Sequence, residues 1–160
     1  MPATTVEAVR AETNSQCHAT RCRDSGCALA LGQAPGPYVL INLEDPTAPV
    51  LADQQHCDYL FIGGNDQSGG PWVAPIELTT GKKRASEFLA QIRGGTSVAD
   101  SLLPRGIQSR FNPVAAYGHA PHRDDLAELR KSASRVNFRG QRRQIQLVEC
   151  GTRLADALVE

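Results

Sequence analysis

The sequence predicts an α/β (α+β) chain built on a central mixed sheet flanked by helices. Three observations carry this expectation. Runs rich in β-branched and aromatic residues follow one another at 38–43, 57–62 and 72–79. Apolar residues then recur at helical spacing over 83–103, and a further strand-like run follows at 111–117. A length of 160 residues with 41% hydrophobic residues suits one ordinary domain with its own core.

The first element, Thr4 to Glu12, reads as a short helix with a Thr cap and a Glu in its first turn, burying Val6 and Val9 with Ala8 or Ala11. Residues 17–36 are rich in Cys, Gly and small polar residues, and only Cys27 to Leu31 offers a core segment. Tyr38–Leu43 is a strand closed by Glu44-Asp45-Pro46. Cys57–Ile62 and Trp72–Thr79 bracket the turn-rich stretch Asn65–Gly70, which makes them a hairpin. Pro75 removes a ladder donor, so its end of the strand is expected at an edge or a bulge.

In the next segment Ala85, Phe88, Leu89, Ile92, Val98 and Leu102 share one side, and Gly94-Gly95 is expected to bend or split the helix. Phe111–Tyr117 is a strand and Arg123–Lys131 a short helix. Arg135–Phe138 and Gln144–Val148 are expected to pair as a second hairpin around Gly140, and Leu154–Val159 to close the chain with a helical turn. The whole of 1–160 is read as a single domain, with a core over 4–118 and a basic helix–hairpin addition over 119–160.

Seventeen basic residues balance seventeen acidic ones. The balance excludes a strongly basic nucleic-acid arm or an acidic disordered tail as a description of the chain. No apolar run approaches the roughly 20 residues of a membrane span. The first fourteen residues lack the basic start and apolar stretch of a secretory signal. A cytoplasmic location without membrane contact is the resulting expectation. Neutrality nevertheless hides an asymmetry. Residues 1–81 hold three basic and nine acidic side chains, whereas 82–160 hold fourteen and eight. Such halves suggest two faces with different jobs, against the plain alternative of an uneven chance distribution.

Two acidic residues interrupt apolar strands: Asp58 at the start of one and Glu77 between Ile76 and Leu78 in the next. A lone carboxylate in a strand normally faces water. Two on consecutive strands are candidates for one site, because facing carboxylates repel unless a cation binds between them. Hard divalent cations such as Mg²⁺ take such oxygens, with water completing the shell.

The order helix, three strands, helix, strand resembles the PD-(D/E)XK nuclease superfamily, whose core has the αβββαβ order of the restriction-endonuclease-like fold. Cys57-Asp58-Tyr59 and Pro75-Ile76-Glu77-Leu78-Thr79 are the residues that carry the resemblance, which covers roughly residues 4–118. It implies a restriction-endonuclease-like core followed here by a C-terminal helix and hairpin. It further implies Mg²⁺ (or Mn²⁺) held by Asp58, Glu77 and the Leu78 carbonyl, with Glu12, or more weakly Glu7, joining from the first helix. Gln91 matches the Gln many members carry on the helix after the third strand. The motif Lys is replaced by Thr79. Lys82 and Lys83 follow at the helix entry, and displaced lysines of this kind occur in the superfamily.

The implied activity is metal-dependent phosphodiester hydrolysis of nucleic acid, in a setting such as host defence or repair. Its alternative is a catalytically inactive relative that binds nucleic acid or protein within a larger assembly, a homodimer included. Nine basic residues lie between 105 and 143, and Arg135, Arg139, Arg142 and Arg143 at the expected hairpin are candidate phosphate contacts. An Arg-rich turn that keeps a sheet edge from aggregating is the competing reading.

Five Cys without a secretion signal argue against a disulfide framework. Cys17, Cys22 and Cys27, with His18, form a separate and weaker candidate Zn²⁺ site, since their spacing is not the usual Cys-x2-Cys. Cys57 and Cys150 sit in apolar company and read as buried thiols. His119 and His122 flank Ala-Pro and read as solvated loop histidines before phosphate ligands or a catalytic pair. Neither a Walker-type phosphate loop nor a Gly-x-Ser-x-Gly elbow is present.

Overall fold

A computed structural model of the chain describes residues 3–159. Helix α1 (Thr5–Glu12) starts with a capping box: the Thr4 hydroxyl accepts the Glu7 N–H, and the Glu7 carboxylate accepts the Thr4 N–H. A short hairpin follows, β1 (Cys22–Asp24) and β2 (Cys27–Leu29), turned by Ser25 and Gly26 at φ 48° and 87°. Two positive φ values in a two-residue loop match the right-handed twist of the flanking strands. The hairpin lies where the sequence reads mostly as loop, because strands of three residues leave no alternation to detect.

Strands β3 (Tyr38–Asn42), β4 (Tyr59–Gly63) and β5 (Trp72–Thr79) form an antiparallel meander. From β5 the chain crosses through α2 (Ala85–Leu102) to β6 (Arg110–Phe111) and β7 (Val114–Tyr117), both parallel to β5. The last elements are α3 (Arg123–Leu129), β8 (Val136–Phe138), β9 (Gln141–Arg143), β10 (Gln146–Glu149) and α4 (Leu154–Ala157). Five strands run β10-β7-β5-β4-β3 across the mixed sheet, with β6 beside β5. Strand alternation divides the core into two layers. Val39, Ile41, Leu60, Ile62 and Val73 pack under α1 and α2, while Leu40, Phe61, Ala74, Ile76 and Leu78 pack under β1, β2 and α4.

Three expectations about local structure are corrected. Gly94-Gly95 neither bends nor splits α2, which runs unbroken over 18 residues. A Cβ at Gly94 would overlap the Gln55 carbonyl, and one at Gly95 would overlap the Cys57 sulfur. The glycines therefore let the helix approach the strand β4 entry, which is a packing role that a propensity argument misses. Pro75 is not at an edge, since β5 lies between β4 and β7. Its second ladder is interrupted opposite Ala74 and Pro75, between the end of β6 and the start of β7. Finally, β8 pairs with β9 through Arg139-Gly140, both at positive φ, and β10 leaves that hairpin to join β7 in parallel.

In an exposed helix interior Gly→Ala stabilises by about 1 kcal/mol. At Gly94 the opposite sign is expected. Gly94→Ala should lower the unfolding free energy by about 1–3 kcal/mol in a urea titration, through overpacking against Gln55.

Candidate active site

The β3–β4–β5 meander and the parallel β7 place one end of the sheet at Asn42, Tyr59, Ile76 and Val114. One residue beyond the last β4–β5 pair, Tyr59 with Ile76, stand Asp58 and Glu77. Alternation in β5 sends the Glu77 side chain to the α2 face, in step with Val73, and Asp58, just outside β4, stands beside it. Asp58 is anchored by its Oδ2, which accepts the Leu78 N–H at 2.8 Å. A strand end whose ladder has stopped thus satisfies an amide with the carboxylate of its neighbour.

Lys83 completes the group. Thr79, at the motif-Lys position, turns its hydroxyl to the Gly81 carbonyl at 3.2 Å, and the chain loops back before α2. The Lys83 Nζ donates to Glu77 Oε2 and to Gln91 Oε1, the latter at 2.6 Å. It also lies 5.9 Å from the Phe88 ring centroid. Side-chain exposures of 15% for Lys83 and 3% for Glu77 make this a largely desolvated ion pair. Arg84 at the N-cap of α2 supplies no side-chain cap, and Asp125 of α3 instead accepts the Ala85 N–H at 3.1 Å. Two helices therefore hold the turn that delivers the lysine. Lys82, one residue earlier, is exposed and stays outside the group.

Burial, and then the charge of Glu77, push Asp58 up to about 8. Asp24, on the β1–β2 hairpin, adds to the same negative field. Burial also raises Glu77, against the Lys83 hydrogen bond and charge that pull it down. With the ammonium on Glu77, Asp58 is the member of the pair that keeps a proton near neutral pH. Glu77 Oε1 is buried with no N–H or hydroxyl group donating to it, and a protonated Asp58 carboxyl is the donor at hand. With Asp58 ionised the same oxygen would face a second carboxylate with no donor between them, an arrangement that a hard cation relieves. Asp58 and Glu77 thus fit a divalent cation as two of its ligands.

The remaining candidates are not gathered here. Glu7 is committed to the capping box of α1, and the Thr5 N–H donates to the carboxylate of Asp66, beyond the far end of β4. Glu12 is exposed at the end of that helix. Among the described residues no group of three or more His, Cys, Asp and Glu is placed to hold a metal, so the expected third ligand from α1 is not supplied. The zinc alternative also fails. Cys27 is joined to Cys150 by a disulfide, while Cys17 and Cys22 are buried in opposite core layers. His18 is bonded to the Thr13 hydroxyl at 2.6 Å. Burial pushes the Cys22 thiol up to about 12, which keeps it protonated. The disulfide corrects the expectation of a chain without one and of Cys150 as a thiol. Cys57 is a buried free thiol, as expected.

The basic hairpin needs a similar correction. Arg139 is not at a free tip. Its Nε donates to Asp100 at 2.9 Å, and its Nη atoms donate to the carbonyls of Asp100, Leu103 and Pro104 at 2.8 Å, capping the C-terminal end of α2. Gln91 belongs to the lysine cluster. Arg142 is exposed and donates to the Ser132 carbonyl at 3.0 Å, while Arg135 and Arg143 are exposed. His122 caps α3 by accepting the Asp124 N–H, and His119 is exposed. Asp24 and Asp125 are contributors that sequence reasoning missed. The Ser25-Gly26 dipeptide is a turn signal that could have placed the hairpin carrying Asp24; nothing local signals the reach of Asp125. No helix among the described residues is long and apolar enough to cross a membrane.

No family model, curated protein or solved structure matches the chain.

At Asp58 the folded chain holds a proton that the unfolded chain, with its carboxyl near pH 4, has released. That contribution to stability is complete below about pH 4 and declines as pH rises toward 8. Asp58→Asn keeps an oxygen for the Leu78 N–H and removes the penalty. It should raise the melting temperature at pH 8 by about 3 °C or more, with the gain shrinking toward pH 4 in matched thermal melts.

Proposed function

We propose that the chain is a small nuclease resembling the PD-(D/E)XK superfamily, which hydrolyses phosphodiester bonds of nucleic acid with Mg²⁺ or Mn²⁺. The observation that carries the proposal is the ammonium of Lys83, seated on both Glu77 and Gln91 despite its absence from the motif position. The strand and helix order, with a meander feeding a parallel crossover, supports a restriction-endonuclease-like core on the same terms.

In this reading Asp58, Glu77 and the Leu78 carbonyl would hold the divalent ion, which would supply a bound water of lowered pKa and polarise the phosphate. Lys83 keeps Glu77 ionised before any cation arrives. Once the carboxylate is shared, the ammonium offsets charge developing on the phosphoryl oxygens. Gln91 directs that ammonium by accepting one of its three protons, which limits the orientations it explores. Asp58 would have to release its proton to serve as a ligand, so cation binding would be coupled to proton release.

A second reading keeps the fold without the reaction: a binding domain of a larger assembly. The observation favouring it is the near-complete burial of Glu77 together with the missing third carboxylate. A cytoplasmic location, expected from the N-terminal sequence, is opposed by the Cys27–Cys150 disulfide, which counts against a reducing compartment.

Plasmid and single-stranded substrates with Mg²⁺ or Mn²⁺ separate the two readings. Wild type should cleave, and Glu77→Ala should lose the activity. Lys83→Ala should lower it by about 10²–10³-fold, the typical cost of removing one preorganised electrostatic group. Lys82→Ala should leave it unchanged. Activity that survives Glu77→Ala removes this site from consideration.

A further inference from the structure

Between α2 and the β8–β9 hairpin lies a cavity of about 710 Å³ that the proposed chemistry does not use. One wall is the side of α2 that carries Arg93, Ser97 and Asp100, and the other carries Arg135, Asn137 and Arg139. With Arg105 at one end, four guanidinium groups line it against a single carboxylate. That carboxylate, Asp100, is engaged by Arg139 at 2.9 Å and by Arg105 at 3.4 Å. The cavity is therefore basic after its internal pairs are counted.

Its two walls are tied together. Arg139 spans them through four hydrogen bonds to the end of α2, and Arg93 donates to the Ala133 carbonyl at 3.1 Å. A held wall spares a bound anion much of the ordering cost that loose side chains would impose. Arg135 makes no ion pair among the described residues, and Arg105 is exposed with only its long contact to Asp100. Each retains donors in the fork geometry that matches phosphate oxygens.

The lining also restricts what the cavity can recognise. Its one aromatic ring, Phe138, is buried and stacked on Phe111 with centroids 5.1 Å apart. It offers bases no stacking platform, and with Val136 equally buried there is no apolar anchor of the kind peptide partners need. Charge is what remains to be read. At about 100° per residue, Arg93, Ser97 and Asp100 lie roughly 180–240° around α2 from Gln91. The cavity thus faces away from the Lys83 cluster.

We propose that this cavity grips the phosphodiester backbone of a nucleic acid, on the side of α2 opposite the carboxylate pair and without a divalent ion. The proposal rests on the nuclease reading for the identity of the polyanion. It differs from that reading in needing neither metal nor cleavage.

The test is fluorescence anisotropy of the full chain in EDTA, with a labelled duplex, the corresponding single strand, and a polyglutamate peptide. Wild type should bind the duplex with an affinity that falls steeply with salt. The double variant Arg105→Ala/Arg135→Ala should weaken binding by about tenfold or more and lower the salt slope by about two. Arg123→Ala/Arg130→Ala, at exposed positions at the two ends of α3, should bind as wild type does; thermal melts check that each variant is folded. Three outcomes overturn the proposal: no duplex binding by wild type, equal binding by the Arg105/Arg135 variant, or equal competition by polyglutamate of matched charge. Binding through the cavity by a chain that never cleaves would leave the proposal standing and remove the catalytic reading alone.

Discussion

A lysine ammonium and a glutamate carboxylate, both largely shielded from water, set what the rest of this molecule must do at one end of its sheet. Taking two such charges out of water costs several kcal/mol per ion, and only close partners offset it. Lys83 finds them in Glu77, Gln91 and the face of Phe88. Meeting that requirement constrains elements far apart in sequence. The turn after β5 must fold back, α2 must begin where Phe88 and Gln91 face the turn, and Asp125 of α3 must cap α2 because Arg84 does not. The glycine pair in α2 serves the same geometry. It lets the helix settle against Gln55 and Cys57, directly before Asp58.

The long, strongly patterned elements were legible from sequence because each carries its own period. The three meander strands, α2 and β7 fall close to where alternation and helical spacing place them. What sequence could not show depends on contacts between distant segments. Tyr117 and Glu149 are paired in a parallel register across 32 positions, so β10 could not be told from the return strand of a hairpin. Cys27 and Cys150 meet across a separation of 123 residues, invisible to any spacing rule. The carboxylate pair was readable for the opposite reason. A charge inside an apolar strand is a local anomaly, and two on consecutive strands mark candidates for one site, although only the register, Tyr59 opposite Ile76, brings them side by side. Which of two adjacent lysines reaches them was not readable, because a one-residue step around the helix entry decides it.

Arg139 shows how composition misleads at a hairpin tip. A basic turn looks like a surface for anions, yet its first guanidinium is spent on the carbonyls that end α2. Those carbonyls lack intrahelical donors and need a partner. An arginine that satisfies them ties β8 and β9 to the helix. The basic character of the region then comes from the neighbours Arg139 holds in place, Arg93, Arg105 and Arg135, and not from the turn itself.

The balance of seventeen against seventeen charges therefore has a spatial meaning that a sum conceals. Asp58, Glu77 and the field of Asp24 occupy one end of the sheet, and the guanidinium groups line the opposite side of α2. Had these charges been adjacent, they would have paired, as Asp100 and Arg139 do, and neither would keep a field for a ligand. With α2 between them the two fields persist within one neutral molecule. Under the proposed function an anionic chain would be attracted to the basic side unaided, whereas its approach to the carboxylates would be repelled without a bound cation. That difference gives an order of events to the proposed reaction. In that reading the backbone would be held first, and the carboxylates, with Asp58 deprotonated, would tolerate a phosphate only with a divalent ion bound.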